Sequence, residues 1–428
     1  MNMQKFTNNF NQWKQAVLIG IGILLLSGLA IAQTEPELKL SDAISQALET
    51  HPSLMQSRES IRQSEAQLRG SYSSWLPQVN LNSQYSRSKQ EDSESKNSYN
   101  GSLSASQLIY DFGKTPAYIR KYQQNLQQAQ LTYQNEELNV ILTVKSAYFS
   151  ALKAREELII AKETLESVKL HLKLATTSYQ LGKVAKLDVT KAEVEVANAE
   201  LNLVNAINND RITIRTLANA MGLNNWKDSI PKLEETQYSR ATEDLPELIK
   251  IADQNRPDLL VYQTRKEALK ASLQYTQKSH LPTLSASGSF SGSGEDFPMD
   301  KNWTAGLSLS MNIFDGFNTE AQLDEIKSQI KALQAEQTKS LQDTELDVST
   351  NYYNVLSGEE KIKAARKLVE QSQESLRLAT GRYENELGTL LDVTDAQVSY
   401  TDARVSLAGA IYDYQTDCAK LDTSIGRK

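Results

Sequence analysis

The side chains that most often carry chemistry are few in this sequence, and their spacing does not favour it. Three histidines, His51, His171 and His280, lie far apart, and none falls in an H-x-x-x-H or H-E-x-x-H spacing. Each therefore reads as a surface or packing residue, and no metal site is expected. Gly288, Gly292 and Gly294 lack the lysine and following helix of a phosphate-cradling loop and read as strand and hairpin glycines. Cys418 is the single cysteine and cannot form an internal disulfide. No nucleophile stands out beside a base, so neither catalysis nor a cofactor is expected. What remains is a set of carboxylates near predicted helix starts, Asp188, Asp392 and Asp395. An aspartate that opens a helix is commonly a cap, which accounts for Asp188 and Asp392 together. Asp395 has no such shared explanation, because its counterpart in the internal repeat described next is Lys191.

The elements that position these residues come in duplicate. The chain matches itself at an offset of 204 to 205 positions, so that His51-Pro52-Ser53-Leu54 returns as Arg256-Pro257-Asp258-Leu259 and Leu76-Pro77 as Leu281-Pro282. Tyr110-Asp111 returns as Phe314-Asp315, and Leu187-Asp188-Val189-Thr190 returns intact as Leu391-Asp392-Val393-Thr394. Each copy predicts a first helix (Ser41 to Trp75; Leu245 to Ser279), two strands, a very long helix (Phe112 to Tyr179; Gly316 to Tyr383) and a return helix (Asp188 to Met221; Asp392 to Ser424). At 1.5 Å per residue the long helices reach about 100 Å. The organisation expected is a signal peptide at 1–32, a first repeat at 33–221, a connector at 222–243 and a second repeat at 244–428, the two repeats intertwined in one domain. Glycine and proline are scarce, 18 and 9 in 428 residues, as long uninterrupted helices require.

The leader rests on Lys5 and Lys14 ahead of an apolar run from Ala16 to Ala30 that ends in Ala30-Ile31-Ala32. About 15 apolar residues are short for a membrane span of roughly 20. No cysteine follows the cleavage point until Cys418, so a lipidated N-terminus is not expected. Without the leader's two lysines the 46 basic residues become 44 against 53 acidic ones, a net charge of about −9, which argues against a nucleic-acid partner. Mean hydropathy is −0.49 and no later stretch could form a transmembrane helix, so any membrane crossing must use strands.

The predicted strands alternate. Trp303, Ala305, Leu307, Leu309, Met311 and Ile313 share one face, and Leu284, Ala286, Gly288 and Phe290 share a face of the partner. Val79, Leu81 and Tyr85, with Tyr99, Leu103, Ala105 and Ile109, repeat the pattern in the first copy. The opposite faces are mostly Ser, Thr, Asn and Gly, as in a watery lumen. A sheet edge cannot stay open in lipid and four strands cannot curl into a barrel, so the chain must oligomerise. Three chains would give twelve strands and an open channel. Ser88 to Ser98 and Ser293 to Lys301 are then the hairpin tips outside the cell.

In the long first helix, Ala151, Ala154, Leu158, Ala161, Leu165, Val168, Leu172, Ala175 and Tyr179 alternate spacings of three and four, a heptad seam. Ile362, Ala365, Val369, Ser372, Leu376, Ala379 and Tyr383 repeat it. Stripes on the return helices, Val194, Ala197, Leu201 and Val204, and Val398, Thr401, Val405 and Ala408, predict antiparallel coiled-coil hairpins. The turn segments, Tyr179-x-Leu181-Gly182 through Leu187-Asp188-Val189 and Tyr383 through Leu387-Gly388-Thr389-x-Leu391-Asp392-Val393, followed by Asp395-Ala396-Gln397, resemble the tips of TolC-type outer-membrane efflux proteins. The resemblance extends from Leu40 nearly to the end.

That resemblance implies an α+β membrane protein, a homotrimer whose twelve-stranded transmembrane β-barrel continues into a twelve-helix periplasmic α-barrel. It implies a cell outer-membrane location, with a periplasmic adaptor and an inner-membrane pump as partners. Leu181, Gly182, Leu387, Gly388 and Thr389 would contact the adaptor. Asp392 and Asp395 would form an acidic ring at the periplasmic aperture, with Tyr383 and Asp188 as hydrogen-bonding gate residues. The family pattern has a basic latch residue where this chain has Gly388. The expected cargo is small toxic compounds or drugs. Exit of a polypeptide from an ATP-driven secretion complex fits the same architecture, and a periplasmic coiled-coil protein without a pore would share the helical seams.

Overall fold

The computed structural model describes residues 37–91, 94–223, 233–235, 243–385 and 387–428. The expected signal peptide, and most of the expected connector, lie outside these described residues. In chain order the elements are α1 (Leu40–Thr50), α2 (Pro52–Ser71), a 3-10 turn (Tyr72–Trp75), β1 (Gln78–Ser88), β2 (Lys96–Tyr110), α3 (Lys114–Gln180) and α4 (Lys186–Ala220). The same series follows as α5 (Leu245–Asn255), α6 (Pro257–Gln277), a 3-10 turn (Lys278–His280), β3 (Thr283–Gly294), β4 (Asp300–Ser310), α7 (Asn318–Glu384) and α8 (Leu390–Ser424).

The first helix of each repeat is two helices, not the single one that the periodicity suggested. Pro52 drives His51 to an extended backbone (φ −66°, ψ 127°) and starts α2, and Pro257 does the same to Arg256 (φ −66°, ψ 119°). The His51 ring then caps α2 by accepting from Ser53 N at 3.3 Å. Arg256 instead pairs with Asp258 at 2.8 Å and Asp347 at 2.9 Å and donates to Ser424 O, tying α6 to α7 and α8. The long helices start two residues later than expected. Phe112 and Gly113 in one repeat, and Gly316 and Phe317 in the other, have positive φ, which turns the chain sharply out of the sheet. Asp111 and Asp315 close these elbows by accepting from Thr115 N at 2.6 Å and Thr319 N at 3.1 Å.

The four strands form one antiparallel sheet in the order β1-β2-β3-β4, leaving β1 and β4 as its edges. Register places the apolar alternation on one face: Leu81 opposes Leu103, Leu103 opposes Phe290, and Phe290 opposes Trp303. The neighbouring row is Asn82, Ser102, Ser291 and Asn302. The apolar row is exposed within the protomer, with Leu81 at 77% and Trp303 at 73%. Three expectations shift. A bulge beside Leu108 brings Tyr110, and not Ile109, opposite Leu284. β4 stops at Ser310, short of Met311 and Ile313, because its partner β3 begins after Pro282, which has no N–H for the ladder. The strands also run further toward the tips than expected, to Lys96 and Gly294.

α3 packs against α4 on one side and α8 on another, and α7 packs against α8. The larger core joins α1, α2, α3 and α4 through Ala43, Ala47, Leu54, Val144, Tyr148, Phe149, Leu217 and Met221. The Tyr148 hydroxyl lies 2.8 Å from both Leu38 O and Glu234 O, pinning the short parallel bridge of Leu38 with Leu233. Its counterpart in the second repeat joins Leu248, Ala252, Val348, Val355, Cys418, Leu421 and Ile425.

The expected seams of α3 and α7 are packed: Ala151, Ala154, Leu158, Leu165, Val168 and Ala175 are buried, as are Ser372 and Tyr383. Tyr179, at the end of the first seam, is 45% exposed. On the return helices the expected stripe of α4 is mostly outside and that of α8 is divided, with Ala408 buried and Thr401 3.1 Å from Thr164 but Val398 and Val405 exposed. Val194, Leu201, Val204, Val398 and Val405 are exposed, whereas Ala192, Val196, Ala199 and Leu203 face α3. Ala192 and Ala199 let the backbone of α4 approach α3 closely, and Val196 and Leu203 pack beside them.

Candidate functional site at the hairpin tips

Both helical hairpins turn at the same end of the molecule. At the first tip α3 ends in a Schellman motif: Lys183 N donates to Ser178 O and Gly182 N to Tyr179 O, each at 2.9 Å, with Gly182 at φ +73°. Leu181 stands 67% exposed on this turn. At the second tip Leu387 N donates to Arg382 O at 2.8 Å, and Leu387 is 71% exposed. Position 386, the repeat counterpart of Gly182, lies outside the described residues.

The two tip glycines have different physical reasons. A side chain at Gly182 would have open space but the wrong backbone region; a Cβ at Gly388 would come within 3.1 Å of Arg382 Cβ and 3.4 Å of Tyr383 N. Gly388 thus lets its own turn fold back on α7. Arg382 closes that turn from outside by donating to Leu387 O at 3.1 Å.

Thr389 and Asp392 form a reciprocal capping box at the start of α8. The Asp392 carboxylate accepts from Thr389 N and Thr389 Oγ1, both at 2.9 Å, and Thr389 Oγ1 accepts from Asp392 N at 3.3 Å. Thr389 is therefore the N-cap, and Asp392 is the third helical residue and not the cap itself. The bonds from Thr389 hold the Asp392 carboxyl below the usual carboxylate range. The Thr-x-x-Asp spacing was a legible signal for this role. Asp188 is likewise in the first turn of α4, behind Ala185, whose side chain makes no cap. Asp395 is one turn further along α8 and exposed.

Tyr383 and Asp188 are brought together across the two hairpins. The Tyr383 ring packs among Ala175, Ala192, Leu390 and Val393, and its hydroxyl is a buried oxygen without a hydrogen-bond partner among the described residues. Burial first, and then the negative charge of Asp188, push the phenol's titration upward. Further up, Ser167 Oγ donates to Gln397 Oε1 at 2.7 Å, Thr164 and Thr401 hydroxyls lie 3.1 Å apart, and Arg404 pairs with Glu163, so α3 and α8 are laced by polar contacts. This lacing was not legible in the sequence, since its partners lie on different hairpins. Leu181, Gly182, Leu387, Gly388, Thr389, Asp188, Tyr383, Asp392 and Asp395 all collect at this end of the molecule.

The family described as outer membrane efflux protein matches residues 43–223 and 248–427, one stretch on each repeat. The outer membrane protein TolC of Escherichia coli (strain K12) is 24% identical over 434 residues, covering 96% of this chain and 85% of its own length. A solved structure of CusC is similar with a TM-score of 0.81 at 19% identity, covering 94% of this chain and 96% of that one. The outer membrane protein VceC from Vibrio cholerae gives 0.79 at 18% identity, covering 91% and 96%. At these identities the structural likeness speaks to the fold.

Proposed function

Because the chain belongs to the outer membrane efflux protein family, and is thus an outer-membrane component of efflux, we propose that three copies of it build one duct, a twelve-stranded transmembrane barrel continuous with a twelve-helix periplasmic tunnel. The observation that carries this reading is the four-stranded sheet with β1 and β4 as edges and one exposed apolar face. In lipid, every edge N–H and C=O must find a partner, so the edges of one chain must pair with those of the next. Two chains would barely close, whereas three leave a water-filled lumen. The row Leu81, Leu103, Phe290 and Trp303 then faces lipid, and the Ser, Thr and Asn rows line the lumen.

The two repeats supply equivalent helix-strand-strand-helix-helix units, with the segment around 222–243 as the connector between them. The tips form the periplasmic aperture. Leu181 and Leu387 are apolar side chains standing in solvent beside tight glycine turns, which suits contact with an adaptor protein. Asp392 and Asp395 from three chains bring six carboxylates to the constriction. Tyr383 with Asp188 couples the two hairpins there. Energy for export comes from an inner-membrane pump, and the cargo is small toxic compounds or drugs.

Mass measurement of detergent-extracted protein tests the assembly; three chains are expected, and a water-soluble single chain absent from outer-membrane fractions would overturn it. In planar bilayers, Asp392→Ala with Asp395→Ala should raise conductance and remove block by multivalent cations. Unchanged conductance would rule out the acidic ring.

A further inference from the structure

The base of the β3–β4 hairpin brings together residues from both of its ends. His280 closes the 3-10 turn that precedes β3, Asp315 closes the elbow after β4, and Glu320 lies in the first turn of α7. One nitrogen of His280 and one carboxylate oxygen from each acid lie within 4.8 Å of one another. We propose that these three side chains form a site for one divalent transition-metal ion of the zinc type, which pins the base of the hairpin to the start of α7. The site goes beyond the duct reading and does not depend on it.

The imidazole is set up as a ligand. Its Nδ1 lies 3.2 Å from Asn312 O, so in the neutral ring the proton sits on Nδ1 and the Nε2 lone pair is the one offered to a metal. Backbone carbonyls fix metal-binding histidines in this way. Asp315 is equally constrained: Thr319 N at 3.1 Å and Thr319 Oγ1 at 2.5 Å both donate to Oδ2. The hydroxyl of Thr319 is the leading reason that this carboxyl is held below the usual range. Glu320 is exposed and free to swing inward. Zinc–ligand distances of about 2.0–2.2 Å put tetrahedral ligand atoms about 3.3 Å apart, so the three side chains, within 4.8 Å of one another, need to draw in only slightly to ligate, with water as the fourth ligand. One imidazole among two carboxylates favours zinc, cobalt or nickel over magnesium or calcium, which prefer all-oxygen shells.

The internal repeat provides a control. Asp111 makes the same elbow cap, accepting from Gly113 N at 3.1 Å and Thr115 N at 2.6 Å, so capping alone explains Asp315. It does not explain the other two. At the equivalent positions the first repeat has Trp75 for His280 and Pro116 for Glu320, neither of which can ligate. The second repeat thus carries one imidazole and one carboxylate that the shared cap does not require. Lys278, two residues before His280, donates to Gly113 O at 3.2 Å.

Titration of chelator-treated, detergent-extracted full-length protein with Zn2+ by calorimetry tests the site. One Zn2+ per chain is expected, and His280→Gln and Glu320→Gln should each weaken binding at least about tenfold. Neither substitution removes the Asp315 cap, so helicity should be unchanged. Co2+ as a spectroscopic probe should show a ligand-field spectrum that His280→Gln alters and that excess Mg2+ leaves in place. Absence of stoichiometric binding to the natural chain, or variants that bind Zn2+ as tightly as it does, would overturn the proposal.

Discussion

Asp392 and Asp395 stand three positions apart on α8 yet meet different surroundings. Asp392 is bound by Thr389 through backbone and hydroxyl, whereas Asp395 is exposed and its repeat counterpart is Lys191. The acidic gate expected of both should therefore be carried mainly by Asp395. In bilayer recordings Asp395→Ala alone should give most of the conductance rise of the double variant, while Asp392→Ala should chiefly loosen the start of α8. The capping box has a pH signature. Its carboxyl is depressed in the folded chain, so its contribution is present above the unfolded value of about 4 and is lost as pH falls toward the folded one. The protection of the Thr389 and Asp392 amides against hydrogen exchange, taken relative to the unstructured rate at the same pH, should be full at neutrality and fall as pH drops below about 4. At the other tip, Gly182→Ala should cost about 1–2 kcal/mol because φ is +73°, read as faster exchange in the last turn of α3.

Helix length and duplication were legible because long apolar periodicity and scarce glycine leave few alternatives; α3 and α7 each run 67 residues, close to the expected bounds. The breaks at His51 and Arg256 were legible too, in Pro52 and Pro257, but the apolar pattern running through them masked the signal. The elbows at Phe112 and Phe317 were not, because a non-glycine residue at positive φ leaves no mark on its own sequence. The return helices carry two apolar stripes, and periodicity cannot say which one meets α3. On α4 the stripe Ala192, Val196, Ala199 and Leu203 packs inward and leaves Val194, Leu201 and Val204 exposed. Two substitutions separate these roles. Phe149→Ala, fully buried in the first core, should destabilise the protomer by about 3–5 kcal/mol in chemical denaturation. Leu201→Asp with Val204→Asp, on the exposed stripe, should leave helicity intact and shift the detergent-extracted mass from that of the proposed three-chain assembly toward one chain.

The whole molecule has two surfaces that a single chain leaves open, the lateral faces of the hairpins and the exposed apolar row of the sheet, which the proposed barrel turns to lipid. Leu103→Arg, in the middle of that row, should cost about 2–4 kcal/mol on insertion and deplete the protein from outer-membrane fractions. Ser104→Arg, on the opposite face, should insert normally and change only ion selectivity. Equal behaviour of the two variants would count against the membrane orientation of the sheet. The amino-acid sequence by itself determined the duplicated order of elements, the alternation of the strands and the heptad seams of α3 and α7, because each is a periodicity that local geometry reads directly. Tertiary structure alone decided the rest. It set which stripe of α4 is inside, brought Tyr383 beside Asp188, and joined His280 to Asp315 and Glu320, because those meetings depend on how distant segments fold back and on the close approach that alanine and glycine permit.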